Sequence, residues 1–443
     1  MSKFRKQHMS IDWYDMIDTA EDTAAVPASK ATLKEKSTLV GRIGSMLLSS
    51  GTAAWRVRAS MNKLSRALGI VCNADIGLLT IEYTCIEGSE EVTTEITLST
   101  AGVSTDRINA IEQFSDNFAE RVDKYSVEQF HHILDKIGES AVKYKAWQLG
   151  LASGIACCSF AFLLGGGPME MIGAFFGAGV GQFIRKKLIE HHITLTANVC
   201  ASVTAACAVY VLVTELLDML VGLPAVHQAG YICAMLFIIP GFPLITGGFD
   251  IAKLDLRSGM ERITYALLII CTATITGYVA AFVFRYAPGD LPEPVIPMQI
   301  KTAMRLAASF AGVFGFSLML GSNRKMAFTA SMIGMLCNTF RLTLVDLTGI
   351  PVGIGAFIGA MCAGLAASGI KRFVGFPRIT ITVPSIVIMV PGMFMYKAIY
   401  YFALNNTNDG LLWITKAFMI VLALPMGLIA ARILTDNNFR KNS

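Results

Sequence analysis

Apolar positions in the first third of the chain recur every three or four residues, then every two, then every three or four again. Val40, Ile43, Met46 and Leu47 share one face of a helix that Ser49–Ser50–Gly51 interrupts. A second helix is predicted over about 53–68, ending at Gly69. The segments GLLTIEYTCIEG and TTEITLST are rich in β-branched residues and parted by polar GSEEV, which predicts a strand pair. Two more amphipathic helices are predicted over about 106–118 and 126–137. Residues 1–37 are polar and poor in aliphatics after Ile17, and predict a mobile lead-in. The front part therefore reads as a small α+β domain over 38–145, its apolar residues adequately explained as core.

From 146 onward the periodicity gives way to long apolar runs. A bilayer core of ~30 Å needs about 20 apolar residues per helix. Runs of that kind fall at about 146–164, 168–184, 193–221, 226–249, 259–286, 301–320, 326–342, 352–370, 379–403 and 411–434, which predicts ten spans. Lys and Arg in short loops mark the cytoplasmic side. With the N-terminus inside, the inward loops and tail hold Arg185, Lys186, Lys187, Lys253, Arg257, Arg262, Arg324, Lys325, Lys371, Arg372, Arg378, Arg432, Arg440 and Lys441. The outward loops hold Arg285, Lys301, Arg305, Arg341 and Lys397. That asymmetry predicts both termini in the cytoplasm. The basic start is followed by no apolar run, so no cleavable leader is expected.

The ten spans divide into two sets of five, over 146–290 and 291–443. The fourth span of each set is broken by proline and glycine, FIIPGFPL in the first and IMVPGMFM in the second. The second spans contain MIGAFFG and MIGMLCN. A duplicated unit with an odd number of spans re-enters the membrane upside down, so the expected fold is a polytopic α-helical membrane protein built as an inverted repeat.

Composition sharpens this. Charged residues are 16% and AVILMFWYC 54% of the 443 residues, against about 25% charged in ordinary soluble chains. Residues 1–145 carry 17 Lys and Arg against 20 Asp and Glu, whereas 146–443 carry 20 against 12. A soluble enzyme is excluded as the whole answer. Nucleic acid is excluded as a partner, because the excess positive charge lies in the apolar part. Eight of the ten cysteines lie in apolar runs and behave as small hydrophobes. No cysteine or histidine spacing suggests zinc, and no phosphate-binding GxxxxGK[ST] occurs. No cofactor or metal is expected.

The candidate chemistry sits at the breaks and just after the first of them. Pro240 and Pro243 with Gly241 are expected to unwind about one turn, and freed backbone groups at membrane depth are tolerated only in protein or along a wet cavity. Pro240, Gly241, Pro243, Pro391, Gly392 and Tyr396 are the candidate substrate positions. A structural kink is the alternative at each break. Asp250, Asp255, Ser258 and Arg262 are candidate coupling or gating groups, since a carboxylate beside a membrane cavity can carry protons. The bland alternative is a solvated loop in which Asp255 pairs with Arg257 or Arg262. Lys397 is a further candidate, with interfacial snorkelling as its alternative. Asn198 and Asn338 are placed to bond across helices.

These residues also carry a resemblance. PGFPLITGGFDIAKLDLRSGMER at 240–262 resembles the PGxPLxxGxxDxxxGDxxSGxxR stretch of the threonine/serine exporter family. Pro240, Gly241, Pro243, Leu244, Gly247, Asp250, Asp255, Ser258, Gly259 and Arg262 match, while Leu254 stands where glycine is expected. Arg56 and Val57 match the family's RV position, with Trp55 where tyrosine is usual. SNRKMAFTASMIGMLCNTFR and VPSIVIMVPGMFMYKAIYYF resemble the smaller partner that some bacteria make as a separate chain, so this is similar to a fused form. The resemblance implies export of threonine or serine across the bacterial inner membrane, driven by protons. Split relatives are associated with dicarboxylate export, which leaves the substrate open. The implied partners are a small-molecule substrate, protons, the bilayer and a possible second copy of the chain. The competing readings are a membrane scaffold or sensor whose working part is the front domain, and a channel, which the sparse polar residues argue against.

Overall fold

The computed structural model describes residues 13–14, 26–222, 229–286, 291 and 296–440. The lead-in expected over 1–37 falls largely on 1–12 and 15–25, outside the described residues. The chain folds as two compact units, one of residues 1–142 with 249–262, the other of 143–248 with 263–443.

In the first unit α1 (Leu33–Ser49) starts earlier than the apolar pattern suggests, because Thr32 and Glu35 form a capping box ahead of the first periodic residue. α1 is buried on most of its faces and is the core element. Tyr83 and Ile81 of the sheet close on Gly41 and Gly44, where a methyl group would collide with Tyr83 or Met61. α2 (Ala54–Ala67) returns along α1 after a turn through Ser50, Gly51 and Thr52.

A three-stranded antiparallel meander follows: β1 (Val71–Ile76), β2 (Thr80–Glu87) and β3 (Glu90–Thr97). Only β2 and β3 are foreseen by the pattern, and GSEEV is mostly strand, the turn being Gly88–Ser89. β2 alternates with Ile81, Tyr83 and Cys85 inward, and Cys72 of β1 lies opposite Cys85, both thiols free. α3 (Thr105–Asp116) and α4 (Val127–Ser140) complete the unit. Phe114, Phe118 and Phe130 cluster between them, with 4.6 Å between the Phe118 and Phe130 ring centres.

In α1 and α4 the buried polar groups are paired. Lys36 bonds Glu87 at 2.6 Å, and Arg42 bonds Asp135. Arg42 also donates to His131 Nδ1 at 2.9 Å, which fixes Nε2 as the protonated ring nitrogen facing Thr38 Oγ1 at 2.9 Å. Burial, then the Arg42 charge, push the His131 pKa down to about 3.

The remaining chain is almost wholly helical. It runs α5 (Ala146–Leu163), α6 (Pro168–Glu190), α7 (Leu195–Val221), α8 (Tyr231–Met235), α9 (Gly241–Ala252), α10 (Leu256–Phe284), α11 (Met298–Met319), α12 (Arg324–Thr348), α13 (Val352–Val374), α14 (Arg378–Ile386), α15 (Gly392–Ala403), α16 (Thr407–Thr435) and α17 (Asn437–Arg440). Among the described residues seven helices are long and apolar enough to cross a membrane, and up to nine if each of two bent pairs is one span. This is a polytopic membrane protein. The remaining expected span, 168–184, falls on α6, whose 23 residues include Glu170, Arg185, Lys186, Lys187 and Glu190. Gly173, Gly177 and Gly181 line α6 where it meets Tyr210, Ala206 and Phe237, so close helix packing uses the small residues.

The two halves have features in common. α9 and α15 are both 12 residues long, and α10 and α16 both 29. α7 and α13 both end at a left-handed glycine, Gly222 and Gly375. Leu254 and Asn405, each two residues before the following long helix, both have positive φ, 63° and 58°.

Candidate functional site

Each bent pair is broken in the same way. A 3-10 turn (Leu236–Ile238, Val387–Met389) is followed by an extended residue, Ile239 or Val390, then Pro240 or Pro391. Proline excludes the helical conformation from the residue before it, and its missing N–H ends the ladder. A new helix then starts at Gly241 or Gly392, bent by 53° and 46° from the old one. Pro243 lies in the first turn of α9, where proline is tolerated, so the unwound stretch precedes Pro240 rather than spanning 240–243.

The breaks pack on each other reciprocally. A methyl on Gly241 would stand 3.1 Å from Val390 Cγ2, and one on Gly392 would stand 2.8 Å from Leu236 Cδ2 and 3.0 Å from Ile239 Cγ1. Beside them lies a cavity of about 10 Å³ lined by Phe160, Phe316, Ile239, Val390 and the two glycines. That is room for about one water, and its lining is apolar, so in this conformation the crossing is closed to an amino acid.

A polar cluster surrounds the first turn of α8. Tyr231 and Tyr396 share a buried hydrogen bond of 2.6 Å between hydroxyls. Lys397, only 4% exposed, is inside the protein rather than snorkelling, and its Nζ lies 4.6 Å from the Trp413 ring centre. Glu170 is fully buried and accepts from Gly167 N at 2.8 Å, capping α6. Glu170 and the Tyr210 hydroxyl both press on Gly230, where a side chain would collide with them.

The elbow between α9 and α10 belongs to the first unit. Asp250 is fully buried; its Oδ2 accepts from Ser258 Oγ at 3.0 Å and forms an ion pair with Arg262 Nε at 3.0 Å, whose N–H donates to Ser258 Oγ at 3.2 Å. Arg262 also donates to the carbonyls of Gly51 at 3.3 Å and Thr52 at 2.8 Å, which closes the turn after α1. Asp255 pairs with Arg58 at 2.7 Å, and Arg58 donates to Ala74 O at 3.0 Å. Arg257 pairs with Asp75 and with Glu261, and Glu261 accepts from Leu78 N at 2.5 Å. The 249–262 segment thus bonds to the α1–α2 turn, α2 and the β1–β2 edge. Among the described residues no group of three or more His, Cys, Asp or Glu is placed to hold a metal.

A family model described as "Putative threonine/serine exporter" matches residues 38–284, and a second, described as "Threonine/Serine exporter, ThrE", matches 305–434. The chain belongs to the threonine/serine exporter family. It carries both membrane units of that family in one polypeptide. Over 419 residues it is 22% identical to the "Probable threonine/serine exporter" of Mycobacterium tuberculosis, covering 89% of this chain and 75% of the relative. It is 29% identical over 158 residues to the "Probable succinate transporter subunit YjjP" of Escherichia coli, covering 34% of this chain and 60% of the relative. The subunit of the same name from Klebsiella aerogenes is 26% identical over 241 residues, 53% of this chain and 88% of the relative. No solved structure matches the chain.

In this exporter-family chain the sequence-predicted residues fall into three places. Pro240, Gly241, Pro391 and Gly392 meet at the crossing, with Pro243 one turn further into α9. Tyr396 and Lys397 join the α8 cluster. Asp250, Ser258 and Arg262 meet one another at the elbow, while Asp255 turns to Arg58 instead of Arg257 or Arg262. Asn338 donates to Ser309 Oγ of α11 at 2.9 Å, and Asn198 to Arg185 O of α6 at 3.2 Å. Glu170, Tyr210 and Tyr231 escaped the sequence reading. Glu170 was hidden in the glycine turn GGGPME; the signal was a carboxylate three residues after Gly167, the spacing of a capping box, at the head of an apolar helix.

Proposed function

We propose that this chain is a secondary active exporter, not an enzyme, that moves a small polar metabolite, threonine or serine first, out of the bacterial cytoplasm at the expense of the proton gradient. The observation that carries the reading is the reciprocal crossing of two broken helices, one from each half. Inverted-repeat transporters place discontinuous helices at the repeat interface, and rocking of one repeat on the other exposes the site to alternate sides. The matched lengths of α9 with α15 and α10 with α16, and the matched left-handed residues before the long helices, support a duplicated unit. On this reading the spans number ten, with α6 and each bent pair counted once. The membrane units are 146–290 and 291–443, 38–145 is a cytoplasmic domain, and both termini face inside. Asp250 is the proposed proton carrier, because protonation would cancel the charge that holds Arg262 and so loosen the elbow. Asp255, Ser258 and Arg262 then set the resting position of that elbow.

A dicarboxylate is the second reading. Two relatives are named as succinate transporter subunits, and α11 and α12 supply a basic group. Arg305 and Lys301 gather on Asp346 at 2.7 and 3.8 Å, and Arg341 is within electrostatic reach of Arg305. The test is efflux and counterflow in proteoliposomes loaded with labelled threonine, serine or succinate, with and without an imposed pH gradient. Gradient-accelerated loss of threonine or serine supports the first reading, and of succinate the second. No flux of any of the three from folded protein would remove the exporter reading and favour a scaffold.

A further inference from the structure

We propose that Cys72 and Cys85 are a redox modification site, which a hydroperoxide closes into a reversible disulfide across the β1–β2 hairpin. The site is independent of what is transported, and only its cytoplasmic setting rests on the exporter reading. The two residues are direct partners in the antiparallel register. The turn decides which kind of pair they form. Gly77 N donates to Thr80 O at 2.9 Å, so these two are the hydrogen-bonded pair beside the turn. Bonded and non-bonded pairs alternate along an antiparallel ladder. Asp75 and Asn73 are then bonded to β2, and Ile76, Ala74 and Cys72 are not. β3 gives the same phase from the other side. Leu98 N donates to Leu79 O at 2.7 Å, so Leu79, Ile81, Tyr83 and Cys85 turn their backbone groups toward β3. Cys72 and Cys85 are therefore a non-hydrogen-bonded pair, with α-carbons about 4.5 Å apart and side chains facing closely. That separation lies within the ~4.4–6.8 Å a disulfide spans, so the bond forms with little movement of the backbone.

The surroundings suit the chemistry. The sequence places two cysteines before residue 146, and they face each other. Both thiols are free, Cys85 fully buried and Cys72 6% exposed on an edge strand, where a small oxidant has the shorter way in. A hydrogen bond with Cys85 lowers the Cys72 pKa, burial opposes this, and Ser65 of α2 adds to the lowering, while the Cys85 pKa is raised. Cys72 thus ionises first, and the thiolate is the nucleophile. It attacks one oxygen of the hydroperoxide: an S–O bond forms, the O–O bond breaks, and the leaving oxygen takes up the proton that Cys72 released. The Cys85 sulfur then attacks the sulfenic sulfur: the S–S bond forms, the S–O bond breaks, and the hydroxyl leaves as water with the Cys85 proton. Two electrons pass from the two sulfurs to the peroxide. Thiol exchange with a cytoplasmic dithiol reverses the step.

The bridged segment carries the supports of the elbow. Asp75 pairs with Arg257, Leu78 N donates to Glu261, and Ala74 O accepts from Arg58, which also pairs with Asp255. Oxidation therefore stiffens the hairpin on which residues 249–262 rest.

The test uses the full chain, purified reduced in detergent, treated with hydrogen peroxide, alkylated and digested with trypsin. No Lys or Arg lies between Arg66 and Arg107, so one peptide, 67–107, carries both cysteines. It is expected to lose two hydrogens and take up no alkyl group, and dithiothreitol should restore both thiols. The oxidised chain should melt about 5 °C or more higher, with slower amide exchange over 249–262. Cys85→Ala should stop at a sulfenic acid on Cys72 that dimedone captures, and should show no rise in melting; if its melting profile reports misfolding, Cys85→Ser takes its place. Wild-type thiols still alkylated after a dose that fully oxidises added glutathione would overturn the site. Separate sulfinic acids without an S–S bond would overturn the pairing. A disulfide with unchanged exchange over 249–262 would overturn its link to the elbow. None of these readouts uses flux, so a failure of the exporter reading is told apart from a failure here.

Discussion

Replacing Arg262 by Met should unlock the elbow between α9 and α10, and the size of the effect can be worked from its bonds. Arg262 is 2% exposed and holds Asp250, Ser258, Gly51 and Thr52 through one guanidinium. Removing one partner of a buried ion pair costs about 3–5 kcal/mol, because the remaining charge is left uncompensated. The two carbonyl bonds add roughly 1.5 kcal/mol or more each if nothing replaces them. Arg262→Met should therefore lower the stability of the folded chain by about 6 kcal/mol or more where nothing replaces the lost bonds, a large fraction of a typical domain's total. Arg262→Lys keeps the charge but cannot reach Asp250 and two carbonyls together, and should fall between. The discriminating assay is a double-mutant cycle with Asp250→Asn, read as melting in detergent and as protease resistance of the front unit. If the loss is mainly an orphaned carboxylate, Asp250→Asn in the Arg262→Met background should recover about 2 kcal/mol or more. Strict additivity of the two substitutions, or an Arg262→Met chain as stable as wild type, would refute the argument.

Three further outcomes follow from single sites. Leu254 is left-handed (φ 63°) and 78% exposed, so Leu254→Gly should raise stability by about 1 kcal/mol, seen as a higher melting temperature; a fall would mean that the leucine side chain packs. A methyl at Gly392 meets Leu236 at 2.8 Å while one at Gly241 meets Val390 at 3.1 Å, so Gly392→Ala should destabilise more than Gly241→Ala, within the ~1–3 kcal/mol usual for overpacking; the reverse order of melting temperatures counts against the crossing. His131 is held neutral with a folded pKa of about 3, below the unfolded ~6.5, so folding is favoured above pH 6.5 and weakens as pH falls. The slope should be about 1.4 kcal/mol per pH unit between 6.5 and 3, and His131→Asn should flatten that dependence in melts of the full chain at pH 7.5 and 5.5; identical slopes would remove His131 as its source.

The parts of the fold that were legible in the sequence are those where one physical signal dominates. Apolar length marks α7, α10 and α16 without help from context, and a proline followed by glycine inside such a run marks each break. β1 was not legible. Its inward positions are Cys72, Ala74 and Ile76, too small and too mixed with Asn73 and Asp75 to show an alternation. It exists because β2 pairs with it residue by residue from Val71–Ile86 to Ile76–Ile81. The beginning of α1 was masked by polar residues whose capping chemistry outweighs their lack of periodicity. At the elbow the spacing of Asp250, Asp255, Ser258 and Arg262 was visible as a group. Their partners Gly51, Thr52, Arg58 and Asp75 lie about two hundred positions earlier, and no local pattern carries a pairing over that distance. Leu254 is the instructive departure: the family's glycine falls where the backbone is left-handed, so the substitution changes strain and leaves the path of the chain intact.

The motif at 240–262 does two jobs that its compact spelling conceals. Its prolines and first glycine terminate one helix and start another, and Gly241 meets only the aliphatic side chains of Val387 and Val390 across the crossing. Its carboxylates, serine and arginine lie in the last turn of α9, the elbow and the first turns of α10, and bond one another, the α1–α2 turn and α2. A substrate with two charges finds no complement among the first set and only occupied partners in the second. The separation follows from physical need. A crossing of two backbones requires residues without bulk, and glycine beside aliphatics supplies that at little desolvation cost, whereas a buried Asp–Arg pair is stable only with further hydrogen bonds, which carbonyls at a helix end provide.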